Sequence, residues 1–307
     1  MITEGRAALR AQKGRHTQST PGRIAFVNGR YIPHTSAAVH IEDRGLQFGD
    51  SIYEVYAVSN GKLLDEAGHI ERLGRSLTAL EMAWPASPTA LKIIMRELVR
   101  RNRLSEGLVY LQVTRGPHHR DHAIPKSAHP TLIMTASRLD IAVIEARREA
   151  GIAVVTEPDI RWGRCDIKTT NLLPNVLAKT RARRAGAFEV WFHDKNDMIL
   201  EGSSTNAWIV TGDSVVVTRA LEANILAGVT RATLMQAATD AGIRIEERGF
   251  SVAEAWGAKE AFQTSATGGV MPVVSIDRNR LGEGKPGKTT VRMHELYRTL
   301  SRNRAKP

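Results

Sequence analysis

Two Asn-Gly dipeptides, Asn28-Gly29 and Asn60-Gly61, each lie between strand-forming residues and constrain the fold more than any other local signal. Both residues of such a pair tolerate the positive φ that a tight hairpin turn requires, so each predicts two antiparallel strands. The first half should therefore open as an antiparallel meander. A helix is expected from about Glu66 to Met82, because Ile70, Leu73, Leu77 and Leu80 share one face and Asp65 is placed to cap it. Ser87 as N-cap and Pro88 at the first helical position begin a second helix, to about Asn102. Strands near 108–115 and 131–138 close this half.

The charged stretch from Asp140 to Ala150 reads as the connection between two domains. After it come a strand near 151–157, a turn bearing Lys168, and a helix to about Ala185. Strands dominate 188–218, helices occupy 229–241 and 251–257, and a short strand leads into 264–269. The expected fold class is mixed α/β (α+β), in two unequal domains without regular βαβ alternation. The divisions are a disordered basic tail at 1–22, a small domain at 23–140, a linker at 141–150 and a large domain at 151–307.

Net charge is +11, but residues 1–30 carry +5 of it and residues 278–307 carry +7, which leaves −1 for everything between. A basic face at the ends is a solvated tail and a final helix, so no nucleic-acid groove is expected. No apolar run approaches a membrane span. The single cysteine, Cys165, excludes an internal disulfide framework and fits a reducing, cytoplasmic setting. The chain has no GxGxxG, P-loop, HExxH or GxSxG, which removes nucleotide, zinc-protease and hydrolase readings, and no metal site is expected.

The segment CDIKTTNLLPNVLAK, residues 165–179, places Lys168 in a polar turn just ahead of a helix. Leu172, Leu173, Val176 and Leu177 fall at helical spacing, and that face is expected to be buried. A lysine in a desolvated pocket can lose its proton and attack a carbonyl carbon. Alone, Lys168 reads as a surface lysine. Other motifs change that reading: IEDRGLQFGDSIYEVYAV, HIERL, EGSSTNAWIV, LAGVTRAT and QTSATGGVMPV follow in this order.

With these motifs the chain resembles the fold-type IV pyridoxal-phosphate enzymes, most closely the D-amino acid aminotransferases, from about Ile24 to the C-terminus. The resemblance implies a smaller N-terminal α/β domain, a larger C-terminal pseudo-barrel domain, a homodimer, and pyridoxal 5'-phosphate as cofactor. It implies ping-pong transfer of an amino group from a D-amino acid to a 2-oxo acid, with Lys168 as Schiff base and proton shuttle. Branched-chain L-amino acid and (R)-amine transaminases and aminodeoxychorismate lyases share the fold and stand as alternatives.

The cofactor asks for a carboxylate at its ring nitrogen, anion binders for its phosphate, and packing on its ring. The resemblance assigns the carboxylate to Glu201. It assigns the phosphate to Arg72, Val229, Thr230, Ser265 and Ala266, one ring face to Leu226, and the lysine's neighbourhood to Tyr53. Arg72 is offset from the apolar stripe of its helix, so its guanidinium is expected to reach a cleft. Gly228-Val229-Thr230 opens a helix, which favours an anion on physical grounds alone. Tyr53 and Thr267 are expected on the substrate side. Arg120 and His122, two residues apart in an extended loop, would trap the substrate α-carboxylate together with Tyr31, supplied across a dimer interface. One departure stands out. The loop Ser265-Ala266-Thr267-Gly268-Gly269 replaces a Ser-Thr-Thr-Ser-Glu pattern, so it should lose a hydroxyl contact and gain mobility.

Overall fold

The computed structural model describes residues 22–222 and 224–304, so the expected basic tail lies, apart from Gly22, outside the described residues. Strands β1 (Ile24–Val27) and β2 (Arg30–Pro33) make the first hairpin, with φ of 43° at Asn28 and 86° at Gly29. A 3-10 turn at His34–Ser36 and a short helix α1 (Arg44–Phe48), capped by Asp43, lead into β3 (Ser51–Ser59). Asn60 and Gly61, at φ 50° and 73°, turn the chain into β4 (Lys62–Leu63). Helices α2 (Glu66–Ala79) and α3 (Pro88–Arg101) follow, then β5 (Gly107–Thr114) and β6 (Thr131–Arg138). The six strands form one antiparallel sheet in the order β2-β1-β6-β5-β3-β4. Ile52, Tyr56 and Val58 of β3 and Val109, Leu111 and Val113 of β5 face the helices. They pack with Leu73 and Leu77 of α2 and with Leu91, Met95 and Leu98 of α3.

Helix α4 (Ile141–Ala150) joins this unit to β7 (Ile152–Pro158), α5 (Leu173–Arg184), β8 (Glu189–His193), β9 (Ile199–Gly202), β10 (Asn206–Val210) and β11 (Val216–Thr218). Then come α6 (Val229–Asp240), β12 (Ile245–Glu247), α7 (Val252–Trp256), β13 (Glu260–Ser265), β14 (Gly269–Ile276), β15 (Asn279–Arg280) and α8 (Lys288–Arg304). They build a nine-stranded mixed sheet, β12-β11-β10-β13-β14-β7-β8-β9, with β15 on β14. The centre of the sheet is buried on both faces. Along β10, Ala207 and Ile209 enter one apolar cluster while Trp208 and Val210 enter another, the two-residue period of a strand between layers. The class is mixed α/β, as the sequence led one to expect.

Two local expectations are corrected. Asp65 sits at φ 51° with no side-chain cap bond; its carboxylate instead accepts from Thr233 Oγ1, Tyr297 Oη and Ser301 Oγ. The stretch expected as the connection between domains is the helix α4, capped by Asp140, whose carboxylate accepts from the Val143 amide. On α5 the apolar stripe faces outward: Leu173 is 68% exposed, and Ala178 and Ala182 are buried in its place. Among the described residues no helix is long and apolar enough to cross a membrane.

Candidate active site

Backbone pairing with β3 fixes the lysine turn. The Tyr53 amide donates to the Lys168 carbonyl (2.9 Å), the Thr170 amide donates to the Ser51 carbonyl (3.1 Å), and the hydroxyls of Ser51 and Thr170 touch. This anchoring sets Lys168 Nζ 4.3 Å from the centre of the Tyr53 ring, which stacks on Tyr110 at 5.6 Å. Lys168 opens into a cavity of about 350 Å³ lined from both sheets, with Tyr53 on one side and Thr264 on the other.

Glu201 ends β9 inside this cavity. Its Oε1 accepts from Arg161 Nη1 at 2.5 Å, and its Oε2 accepts from the Leu226 amide (3.0 Å) and Asn206 Nδ2 (3.3 Å). Burial pushes the carboxyl upward in pKa, and the Arg161 guanidinium and the Leu226 amide oppose that rise. Arg161 is itself held in place by Asp159, which takes its Nε and Nη2 protons.

Arg72 reaches the cavity wall, but its guanidinium is not free to project. Nε and Nη2 fork onto Glu54 at 2.7 Å each, and Nη1 donates to the Ala227 carbonyl at 3.1 Å. His69 Nδ1 lies 2.7 Å from the same carboxylate. Burial would lift the Glu54 carboxyl, but Arg72 and His69 more than offset it and hold the group well below the usual range. An expected phosphate fork is therefore a buried carboxylate fork that steadies the segment leading into α6, with one Nη1 proton left over.

Gly228 caps α6 with no side-chain partner, and its first backbone bond runs from the Ala232 amide to the Gly228 carbonyl. The amides of Val229, Thr230 and Arg231 are thus the unpaired donors of a helix start, beside Leu226 on the cavity wall. A Cβ at Gly228 would fall 2.0 Å from Asn206 Oδ1, so glycine leaves the room that Asn206 fills. Opposite, Ser265 pairs with Gly269 across the β13–β14 turn, and Ser265 Oγ accepts from the Gly268 amide. Arg148 of α4 donates to the carbonyls of Gly268 (2.9 Å) and Val270 (3.1 Å). The loop expected to be loose is tied from outside by a side chain of the connecting helix. Ser265, Ala266 and Thr267 all line the cavity.

The three residues expected to trap a carboxylate do not line this cavity in the same chain. Tyr31 donates its hydroxyl to the Ile94 carbonyl (3.0 Å), and the Arg101 guanidinium lies over its ring at 4.2 Å. Arg120 and His122 are exposed and both lie beside Phe48, at 5.2 and 5.4 Å from its ring centre. Arg44 holds their loop through the carbonyls of Asp121 and His122.

Sequence reasoning missed Arg161, Asn206, Glu54 and His69. Glu54 carried a signal: it shares the buried parity of Ile52, Tyr56 and Val58 along β3, where an acid needs a partner. His69 and Arg72, three apart on α2, are on one helix face and supply it.

A cavity joining one lysine to a buried carboxylate, an uncapped helix start and a short hydroxyl-bearing turn suits an anionic aldehyde cofactor with a ring nitrogen. The family model for amino-transferase class IV matches residues 51–276. The chain belongs to that family and is an aminotransferase, an enzyme class that works with pyridoxal phosphate. It is 37% identical over 273 residues to the D-alanine aminotransferase of Listeria monocytogenes, spanning 89% of this chain and 94% of that one. Against the D-alanine aminotransferase of Bacillus licheniformis it is 38% identical over 263 residues, 86% and 92% of the two chains. Its fold is similar to that of the branched-chain amino acid aminotransferase of Escherichia coli, with TM-score 0.85 and 24% identity over 93% of this chain and 96% of the other.

Proposed function

We propose that the protein transfers the amino group of a D-amino acid to a 2-oxo acid in two half-reactions, with Lys168 as the catalytic residue. The convergence of Lys168, the Glu201–Arg161 pair and the open α6 start on one cavity carries this reading. Similarity to D-alanine aminotransferases over most of the chain supports the D configuration.

Pyridoxal phosphate, when bound, supplies an electrophilic carbon and a ring that accepts electrons. Lys168 Nζ would hold it and, as a free amine, would be the base that takes the proton from the substrate Cα and gives it back on the cofactor's aldehyde-derived carbon. Glu201, whose ionised form Arg161 favours against burial, would sit at the ring nitrogen and hold a proton there. Val229 and Thr230 amides, the Thr230 hydroxyl and the Ser265–Ala266 turn would hold the phosphate, assisted by the spare Arg72 Nη1 proton. Leu226 and Tyr53 would contact the ring, and Thr267 would serve the substrate side.

The active unit in this reading is a homodimer. Arg120 and His122 lie outside the Lys168 cavity of their own chain, so their trap, with Tyr31, serves a second copy. The outward-facing Leu173, Val176 and Leu177 of α5 are an apolar face suited to an interface. The domain limits 23–140, 141–150 and 151–307 follow the two sheets and α4. The lone Cys165 accords with a cytoplasmic setting.

The test is optical. Purified enzyme with pyridoxal phosphate should be yellow, D-alanine should bleach its visible band, and Lys168→Ala should abolish that band. A band bleached by L-leucine and untouched by D-alanine would overturn the handedness; a protein that stays colourless with added cofactor would overturn the whole reading.

A further inference from the structure

The turn between β13 and β14 carries one wall of the proposed phosphate cup, yet its own side chains do little to fix it. Ser265 pairs with Gly269 at the end of the ladder, which leaves Ala266, Thr267 and Gly268 as a short loop on the cavity wall. Ala266 and Gly268 have no polar side chain, and Thr267 is exposed. Position 269 could not carry a bracing side chain either. It sits at φ 59°, and a Cβ there would fall 3.2 Å from Tyr297 Cε1. The turn therefore depends on contacts made from outside it.

Arg148 of α4 supplies them, although it stands outside the cavity lining. Its side chain is 12% exposed, and it forks: Nη2 donates to the Gly268 carbonyl (2.9 Å) and Nε donates to the Val270 carbonyl (3.1 Å). Its Nη1 lies 2.5 Å from Glu145 Oε2 as an ion pair, out of line for a hydrogen bond. The fork thus grips the chain on either side of Gly269. Gly268 passes the grip on, because its amide donates to Ser265 Oγ at 3.1 Å. A serine hydroxyl that accepts one bond still has its own proton to give. Guanidinium, Gly268 and Ser265 therefore form a line of donors that ends at the cavity on the Ser265 hydroxyl.

We propose that Arg148 is a positioning residue for the cofactor phosphate: without touching the anion, it holds Gly268 so that the Ser265 hydroxyl stays turned to the place where the phosphate would sit. The proposal rests on the pyridoxal-phosphate reading above. It accounts for how Gly268-Gly269 can stand where the family pattern has Ser-Glu, since a side chain of the connecting helix takes over the bracing of the turn. An arginine suits this task because its planar fork reaches two carbonyls at once, whereas an ammonium is a single point of charge.

Pyridoxal phosphate and pyridoxal share the ring and the aldehyde and differ in the phosphate, so the ratio of their dissociation constants isolates the cup. Both are read from the visible band as each is titrated into the full-length protein freed of cofactor. Arg148→Gln should weaken pyridoxal phosphate about tenfold while moving pyridoxal less than about twofold, because two charge-assisted bonds to the turn are lost and nothing near Lys168 changes. Arg148→Lys should recover only part of the preference. Glu145→Gln, which leaves the fork in place, should not move it. An equal loss of both ligands, or of the fold itself, in Arg148→Gln and Arg148→Lys alike would make the arginine purely structural and overturn the proposal. So would a full drop with Glu145→Gln, or a wild-type preference that Arg148→Gln keeps. A wild-type protein that forms no band with either ligand overturns the cofactor reading itself, and this proposal with it.

Discussion

At the scale of single residues the site is organised by buried carboxylates whose partners decide what each one does. Glu54 and Glu201 are both buried acids facing arginines, yet their pKa values move in opposite directions. Glu54 has a two-pronged fork and a histidine, which more than offset its burial; Glu201 has one guanidinium proton, an amide and a side-chain amide, which do not. Glu54 is therefore a structural anion. Its depressed folded pKa means that its stabilising contribution is fully present above the unfolded carboxyl value of 4.5 and is lost as pH falls from there toward the folded value. Glu54→Gln should cost about 3 kcal/mol at pH 7 by urea unfolding, because it leaves Arg72 buried without its charge partner. That gap should narrow below about pH 4.5. A gap of the same size at pH 7 and pH 3.5 would show that the ion pair is not what holds α2 to β3. The family resemblance pointed to Lys168 and Glu201, and the structure brings both to one cavity. The partners were not legible, because Arg161 and Asn206 gain meaning only when β7, β9 and the 224–228 segment are brought side by side.

Secondary structure was read well where a signal is local and poorly where it depends on what covers a face. Both Asn-Gly hairpins, the Ser87 cap and the starts of α2, α3 and α6 lie where turn and cap chemistry put them. The stripe on α5 was real, but periodicity says that residues share a face and not that the same chain buries it. Asp65 fits a cap by position; its carboxylate is instead drawn to α6 and to Tyr297 and Ser301 of α8, more than two hundred residues away. The start of α6 is the element most exposed to a small change. Gly228 has φ −65°, which any residue adopts, so Gly228→Ala is a test of space alone. Its new methyl would displace Asn206, which bonds both Glu201 and the Leu226 carbonyl. Cofactor affinity should fall at least about tenfold in a fluorescence titration, a loss on the order of 1.4 kcal/mol, since a shifted Asn206 removes one donor from a buried carboxylate and disturbs the phosphate amides together. Unchanged affinity would mean that the loop yields and that the packing of Asn206 does not govern binding.

In the whole molecule, a single chain brings Lys168, Glu201, the start of α6 and the Ser265–Ala266 turn to one cavity, while Arg120 and His122 stay outside it. Arg120 and His122 lie beside Phe48 in a loop whose Asp121 and His122 carbonyls accept from Arg44, and both stay outside the Lys168 cavity of their own chain. In the proposed two-fold dimer the loop would act on the neighbour, and each cavity would receive one such loop. The consequence is measurable by complementation. Arg120→Ala and Lys168→Ala should each be nearly inactive toward D-alanine as separate homodimers. Mixed, unfolded and refolded together, half of the dimers carry one subunit of each kind. In such a dimer one cavity has its own Lys168 and the partner's intact loop, while the other cavity lacks both. Activity should therefore recover to about a quarter of the wild-type value per subunit, since one cavity in two works in half of the dimers. If each loop served its own chain, no mixture of these two variants could contain a complete site, and refolding them together would restore nothing. Leu177→Glu, which sets a charge on the apolar face of α5, should shift the sedimentation of the wild-type protein toward monomer and lower D-alanine turnover with it, while Lys168 keeps its cofactor and its colour.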